Sequence, residues 1–312
     1  FSEMQQPVIE PVDTSLIENE LTDDKFLRAT NKGGNAIYIV DAYNAPNTMR
    51  EIGRLREIAF RTAGGGTGKD CDIDSYDTMT PPCRQLIVWN PEQKLIIGGY
   101  RFILGTDVAF NSDGSPRIAT AHMFDFSPRF VSEYLPLTIE LGRSFVRLEY
   151  QSTRAGVKAI YALDNLWDGL GALTVKYPQV KYLFGKVTMY PSYSKHCRNL
   201  ILHFLQKHFP DPDRLVTPRT PLVTDADNEA IAKIFSGDNF KDDYRILNAE
   251  VRQQGYNIPP LVNAYMGLSP TMRIFGTAIN DEFGDVEETG IFLAIDDIFE
   301  EKKQRHISTY KG

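Results

Sequence analysis

The stretch Thr138–Lys158, TIELGRSFVRLEYQSTRAGVK, decides how the rest of the chain is read. Leu137, Ile139 and Leu141 alternate with Thr138, Glu140 and Gly142, which is the period-two pattern of a strand. A basic, glycine-containing turn follows and leads to a helix expected to begin near Ile160. Strand, turn and helix N-terminus together form an anion cradle, because unpaired N–H groups and the positive end of the helix dipole meet there. Glu140 and Arg143 interrupt the apolar strand, and ionisable groups in a core strand are costly unless paired or functional. Residues three apart on a flat strand point to opposite faces. A bulge at Gly142 would turn both side chains to one side. A plain structural ion pair, or an edge strand with one face in water, accounts for the same pattern.

Composition narrows the class. The chain has 312 residues, 42% hydrophobic and 24% charged, enough for a large core in one or two domains. A net charge of −7 argues against a general nucleic-acid binder, which needs a surplus of Lys and Arg. Cys71, Cys83 and Cys197 are odd in number and unclustered, so neither a disulfide scaffold nor a zinc site is expected. No apolar run approaches the ~20 residues that span a bilayer, and the first residues lack a signal-peptide pattern.

Residues 1–35 read as a polar arm with a short helix capped at Asp13-Thr14. Ala36–Val40 is a strand, and Asn47 is expected to cap a helix over Thr48–Thr62. Arg56 and Phe60 lie one turn apart on that helix, where an arginine is ordinarily solvated or paired to a neighbour. Ala63–Asp70, AGGGTGKD, fails as a phosphate-binding P-loop because Ala63 and Asp70 occupy the positions of the required Gly and Ser/Thr. It reads as a mobile loop, a candidate flap. Asp72, Asp74 and Asp77 lack the spacing of a calcium loop, so they form a solvated acidic turn or hold arginines. Arg84–Trp89 and Lys94–Leu104 form a hairpin, with Arg101 a third charge among apolar residues. Strands are expected at Ala119–Phe126 and Val180–Tyr190. Helices are expected from Tyr161 to Lys176 and, after Ser192, from Tyr193 to Phe209. His196, His203 and His208 lack metal-site spacing, and no metal is expected. The alternation predicts an α/β (α+β) fold, a mixed sheet with helices on both faces.

Taken in order, Arg56, Phe60, Asp74, Asp77, Arg101, Phe124 and the Glu140-Leu-Gly-Arg143 tetrad resemble the set found in acyl-homoserine-lactone synthases. The phrases ELGRSFVRLEY, ALDNLWDGL, YLFGKVTM, GYNIPPLVNAY and INDEFGD are more closely similar to the N-acyltransferases of ornithine- and glycine-lipid synthesis. Members of that family also carry the label haemolysin, which nothing in this sequence explains physically. The resemblance spans about Asn35 to Ile295 and implies a GNAT-type, mostly antiparallel sheet with a bulged central strand. It implies a core over 36–209, preceded by the arm over 1–35 and followed by a C-terminal extension over 210–312 packed on it.

The activity so implied moves a long, 3-hydroxylated acyl chain from acyl carrier protein to a small amino acid, glycine or ornithine. No bound cofactor is implied; the donor is a phosphopantetheine thioester, acyl-CoA being the less favoured source. The phosphate-loop signature is only partly kept in Gln151-Ser-Thr-Arg154-Ala-Gly156, since Arg154 replaces an inner glycine. Glu140 is the candidate base, with Arg101 and Arg143 gripping the amino acid's carboxylate. Arg56, Phe60, Asp74, Asp77 and Phe124 are candidates for the substrate pocket, with both aspartates paired to Arg56. Gln151, Arg154, Gly156 and Lys158 are candidates for the phosphopantetheine, and Arg147, Arg154 and Lys158 offer a basic face to the carrier protein. A lipid product implies a cytoplasmic enzyme in peripheral contact with the inner face of the membrane. A lactone-type signal synthase and a catalytically silent acyl- or membrane-binding module are the alternatives.

Overall fold

The computed structural model describes residues 5–151 and 157–312. Among the described residues, ten strands run in chain order as β1 (Phe26–Ala29), β2 (Ala36–Val40), β3 (Arg84–Asn90), β4 (Leu95–Leu104), β5 (Phe124–Phe126), β6 (Thr138–Val146), β7 (Tyr182–Met189), β8 (Val216–Pro218), β9 (Arg273–Asn280) and β10 (Val286–Ala294). The helices are α1 (Thr14–Glu20), α2 (Pro46–Ala63), α3 (Ser75–Thr78), α4 (Val157–Lys176), α5 (Lys195–His208), α6 (Asn228–Ile234), α7 (Phe240–Gln253), α8 (Pro260–Met266) and α9 (Glu300–Lys302). Eight strands form one sheet in the order β1-β2-β3-β4-β6-β7-β10-β9, as the expected mixed, mostly antiparallel architecture requires. β5 and β8 make a separate two-stranded ribbon. Among the described residues, no helix is long and apolar enough to cross a membrane.

Two features of this sheet position everything that follows. β6 and β7 are parallel, whereas the other neighbouring pairs are antiparallel. They pair only from Thr138↔Tyr182 to Glu140↔Phe184. Beyond that point β6 stays with β4 as far as Val146 and β7 stays with β10 as far as Met189, so the sheet opens into a wedge. Next, β6 is bulged. From Gly142 to Phe145 it spends three steps against two on β4, from Arg101 to Gly99. The left-handed conformation falls on Arg143 (φ 51°) rather than on the expected Gly142. Non-glycine residues there cost of order ~1–3 kcal/mol and persist where surrounding contacts fix them.

Both faces of the sheet are covered. One face carries Leu86, Phe102, Ile139, Leu141, Leu183 and Val187 beneath α4 and α5. The other meets α2 through Ile87, Trp89 and Phe145, and an aromatic group around Phe130, Phe184 and Phe292. The sequence places α2 well but misjudges its cap. The helix begins at Pro46, and the Glu20 carboxylate accepts from the backbone N–H of Asn47 (3.0 Å) and Thr48 (2.7 Å). Glu20 supplies from another element the anion that a helix N-terminus favours.

Several boundaries shift. Within the stretch read as an arm, β1 is an edge strand of the sheet and α1 docks on α2 through Glu20. Past 209/210, β10 and β9 complete the same sheet beside β7, so the sheet continues across that divide. Only Phe124–Phe126 of the predicted Ala119–Phe126 strand is extended; Ala119–His122 is a 3-10 turn. α4 begins at Val157 rather than near Ile160, and α5 begins at Lys195 with Ser194 as its cap. The glycine loop after α2 is tied down rather than loose. Glu57, fully buried, accepts from the Thr67 and Gly68 N–H groups, and Arg61 holds the Gln6 and Lys69 carbonyls.

Candidate active site

The charges singled out by sequence separate into two places. In the first, Arg101 on β4 is gripped by Asp74 through paired contacts of 2.6 and 3.0 Å and reaches Asp77 at 3.2 Å. Asp77 also binds Arg56 at 3.0 Å, and Gln85 bridges the two, accepting from Arg56 (2.6 Å) and donating to Asp77 (2.8 Å). Asp74 and Asp77 arrive together because α3 is a capping box, each side chain bonded to the other's backbone. Burial works to raise Asp77, but Arg56 and Arg101 outweigh it and hold the carboxyl well below its ordinary range. Burial works to lower Arg101, and Asp77 and Asp74 more than reverse it. Arg56 is therefore neither solvated nor a substrate ligand here, and Asp74 clasps Arg101 rather than Arg56. Arg101, 3% exposed, has its guanidinium committed to carboxylates instead of open to an amino acid.

The second place is the wedge itself. A cavity of about 260 Å³ passes through the gap between β6 and β7, and residues from both sides of the sheet line it. On the α2 side stand Phe60, Arg143, Lys186, Thr188, Tyr190, Phe283 and Glu288, and Ser144 sits at the bulge. On the α4 side the lining is Tyr100, Leu141 and Val187 of the sheet, the α4 stripe Leu163, Leu166, Trp167 and Leu170, and Pro259–Val262 with Tyr265 around α8. One end is thus charged and hydrogen-bonding, the other almost wholly apolar. Such a division suits a ligand with a polar head and a hydrocarbon tail.

Arg143 is the sequence-predicted charge that does face this cavity. Its Nε lies 3.0 Å from Asp72, its Nη2 lies 3.3 Å from Asp72 and 3.5 Å from Asp74, and its guanidinium stacks on Phe283 at 4.4 Å. Phe60 meets Phe283 edge-on at 5.1 Å and completes the aromatic side. Glu140 departs from expectation. Alternation along β6 places it on the opposite side of the strand from Leu141, where Thr120 Oγ1 donates to it at 2.6 Å, and it does not line the cavity. Burial raises its proton affinity, while Thr120, Lys186 and Arg101 oppose that rise. The single cleft shared by Glu140 and Arg143 is therefore not formed.

The carboxylate that does share the cavity with Arg143 is Glu288 of β10, which is 2% exposed. Lys186 (3.2 Å), Thr188 (3.2 Å) and Asn280 (3.1 Å) donate to it. Tyr190 stands in the field of both Glu288 and Arg143; burial, reinforced by Glu288 and opposed by Arg143, pushes its hydroxyl up to about 12. Sequence reading missed Lys186 and Glu288, although each carried the signal that drew notice to Glu140, a charge inside an apolar strand.

The remaining candidates are placed as follows. Phe124 is fully buried among Ile118, Phe130 and Phe275, a core side chain rather than a pocket residue. Gln151 donates to the Val146 carbonyl at 2.5 Å, and Lys158 is exposed in the first turn of α4. Arg154 and Gly156 lie outside the described residues. Arg147 turns inward to the Ile96 carbonyl (2.8 Å) and Glu51 (3.8 Å), so it presents no basic face.

Comparison with known proteins places the chain in a family. Residues 55–160 match the acetyltransferase (GNAT) domain family. A glycine N(alpha)-acyltransferase of Bacteroides thetaiotaomicron is 65% identical over 305 residues, covering 98% of this chain and 90% of that protein. One from Phocaeicola vulgatus is 61% identical, covering 98% and 94%. Among solved structures, the CoA-dependent acyl-homoserine lactone synthase BjaI, with SAM and isopentyl-CoA, is similar at 11% identity and a TM-score of 0.39, over 89% of this chain and 90% of that one. FeeM, an N-acyl amino acid synthase from uncultured soil microbes, is similar at 10% identity and a TM-score of 0.37, over 88% and 96%. With identities above 60% along nearly its whole length, this chain belongs to the glycine N(alpha)-acyltransferase family of GNAT-type acyltransferases.

Proposed function

We propose that this acyltransferase N-acylates glycine with a long-chain acyl group carried as a phosphopantetheine thioester, and that the reaction occurs in the gap between β6 and β7. The observation that carries the proposal is the two-sided lining of that gap. Hydrocarbon fits the α4–α8 side, while Arg143, Lys186, Tyr190 and Glu288 supply charge and protons on the α2 side. Past Glu140↔Phe184, the backbone edges of β6 and β7 that face each other are out of ladder register. Backbone N–H groups on the β6 edge can then point at a thioester oxygen, and preorganised donors of this kind are worth roughly 10²–10³ in rate.

In this reading Arg143 receives the carboxylate of the amino acid, and the aromatic wall of Phe60 and Phe283 favours a small side chain. The glycine nitrogen attacks the thioester carbon. A C–N bond forms, the C–S bond breaks, Glu288 accepts the nitrogen's proton, and Tyr190 gives one to the departing sulfur. With its hydroxyl pushed up to about 12, Tyr190 is protonated at neutral pH. Return of the proton from Glu288 to Tyr190 restores both groups. Lys158 and Gln151 are assigned to the phosphopantetheine entrance. Acyl carrier protein is the proposed donor, and the product is proposed to be an aminolipid.

The test is release of free thiol from 3-hydroxyacyl carrier protein and from the matching acyl-CoA, with glycine, ornithine or S-adenosylmethionine added singly. Glycine-dependent release with the higher kcat/KM on carrier protein is expected. Release with ornithine or S-adenosylmethionine but not glycine contradicts the acceptor assignment, and a preference for acyl-CoA contradicts the donor assignment.

A further inference from the structure

Three cavities meet at one side chain. The reaction cavity of about 260 Å³ ends at the α4 stripe of Leu163, Trp167 and Leu170. A second space of about 180 Å³ begins on the other side of Leu163 and Trp167, between α4, α8 and the C-terminal segment, where apolar Ala264 and Leu268 line it together with Asp164, Lys302, Arg305 and His306. A third, of about 20 Å³, touches Trp167 and Leu170 and runs toward Leu268 and Ile298. Trp167 lines all three.

The partition is narrow for a physical reason. Positions 163, 167 and 170 recur at helical spacing and form one stripe, so one row of side chains separates the compartments. The indole meets Tyr265 edge-on at 5.3 Å and has open space to either side. A ring flanked by voids lacks packing partners on those sides. The backbone around it is firmly set. Gly171 lies so close to the His306 carbonyl that an added Cβ would fall 2.1 Å from the oxygen, and Tyr265 packs on Gly185 of β7. The tight backbone packing nearby leaves the side chain, rather than the helix, as the adjustable part.

We propose that Trp167 is the stop at the far end of the acyl compartment and sets the longest acyl chain the enzyme uses. This rests on the reading that the α4–α8 side of the gap holds the acyl chain. While the ring stays in place, carbons beyond the reaction cavity have no apolar room. With the ring removed, the inner and outer spaces become one channel. Each methylene newly taken out of water then raises kcat/KM by up to about fourfold.

The experiment measures kcat/KM for glycine acylation across saturated acyl donors from eight to eighteen carbons, in the wild type and in Trp167→Ala and Trp167→Leu. The wild-type profile is expected to rise with chain length and then break. In Trp167→Ala the break moves to chains longer by two or more carbons. Trp167→Leu moves it the same way by less, and it decides the matter if the alanine variant does not fold. An unmoved break in a folded variant overturns the assignment of Trp167 while wild-type glycine acylation still stands. Absence of transfer by the wild type with every donor overturns the functional reading itself.

Discussion

The arginine–aspartate network around Arg101 and the wall of the gap around Arg143 look alike in sequence, yet they behave oppositely. In the network the charges are sealed and matched. Arg56 and Asp77 are fully buried, Arg101 has paired contacts to Asp74, and each group serves to satisfy another. In the gap, Arg143, Lys186 and Glu288 are also paired but line a space large enough for a ligand. Burial and pairing alone therefore do not mark catalysis. What separates the two regions is which charged groups border an open volume, and that is decided by where β7 leaves β6.

The largest effect expected is on the sealed side. Arg101→Ala removes the cation that Asp74 grips and that Asp77 shares with Arg56, and removing one partner of a buried pair costs about 3–5 kcal/mol. Urea or thermal unfolding measures it; a loss below about 1 kcal/mol, the range of surface pairs, would show that the network is solvated.

Next comes the proton acceptor. Glu288→Gln keeps the shape of the site and is expected to lower kcat by about 10²-fold or more, the ordinary contribution of a positioned base. Glu140→Gln, outside the lining of the cavity, should change kcat much less. Steady-state rates of the two variants at saturating glycine break the comparison if their order is reversed.

Arg143→Lys keeps the charge but loses the planar fork, and should raise the KM for glycine about tenfold with a smaller change in kcat. An unchanged KM removes Arg143 from carboxylate binding.

The smallest effect is the dependence of stability on acid. Asp74 and Asp77 have folded-state proton affinities held below the unfolded value near ~3.9, so their stabilisation is complete above that pH and is lost as pH falls further. Glu140 is shifted upward, so its ionisation costs stability as pH rises through its folded value, above ~4.3. Asp77→Asn should therefore flatten the acid limb of a stability–pH curve below about pH 4. Glu140→Gln should relieve a small penalty above that pH, and a stability curve that keeps its acid limb in Asp77→Asn would contradict the sign.

Much of this was legible beforehand. Alternation in TIELGRSFV gave the central strand, the pattern of α2 gave its inward face, and the hairpin at 84–104 appeared where expected. Arg56, Asp74, Asp77, Arg101 and Arg143 lie linked by ion pairs, whereas Glu140 is bonded to Thr120 instead. Their division did not follow, because a sequence does not state where two parallel strands stop pairing. Lys186 and Glu288 enter the site only because β10 lies beside β7, a contact between residues about one hundred positions apart. The bulge was foreseen at Gly142 from that residue's freedom, whereas contacts to Asp72 and Phe283 accompany the left-handed conformation at Arg143.

The most direct test is a crystal structure of this enzyme with its proposed product, an N-(long-chain acyl)glycine. The account predicts the amide in the gap beside Ser144 and Glu288, the carboxylate at Arg143, and the hydrocarbon between α4 and α8 ending at Trp167. A product bound away from the β6–β7 gap, or lying with its tail on the Arg143 side, would contradict it.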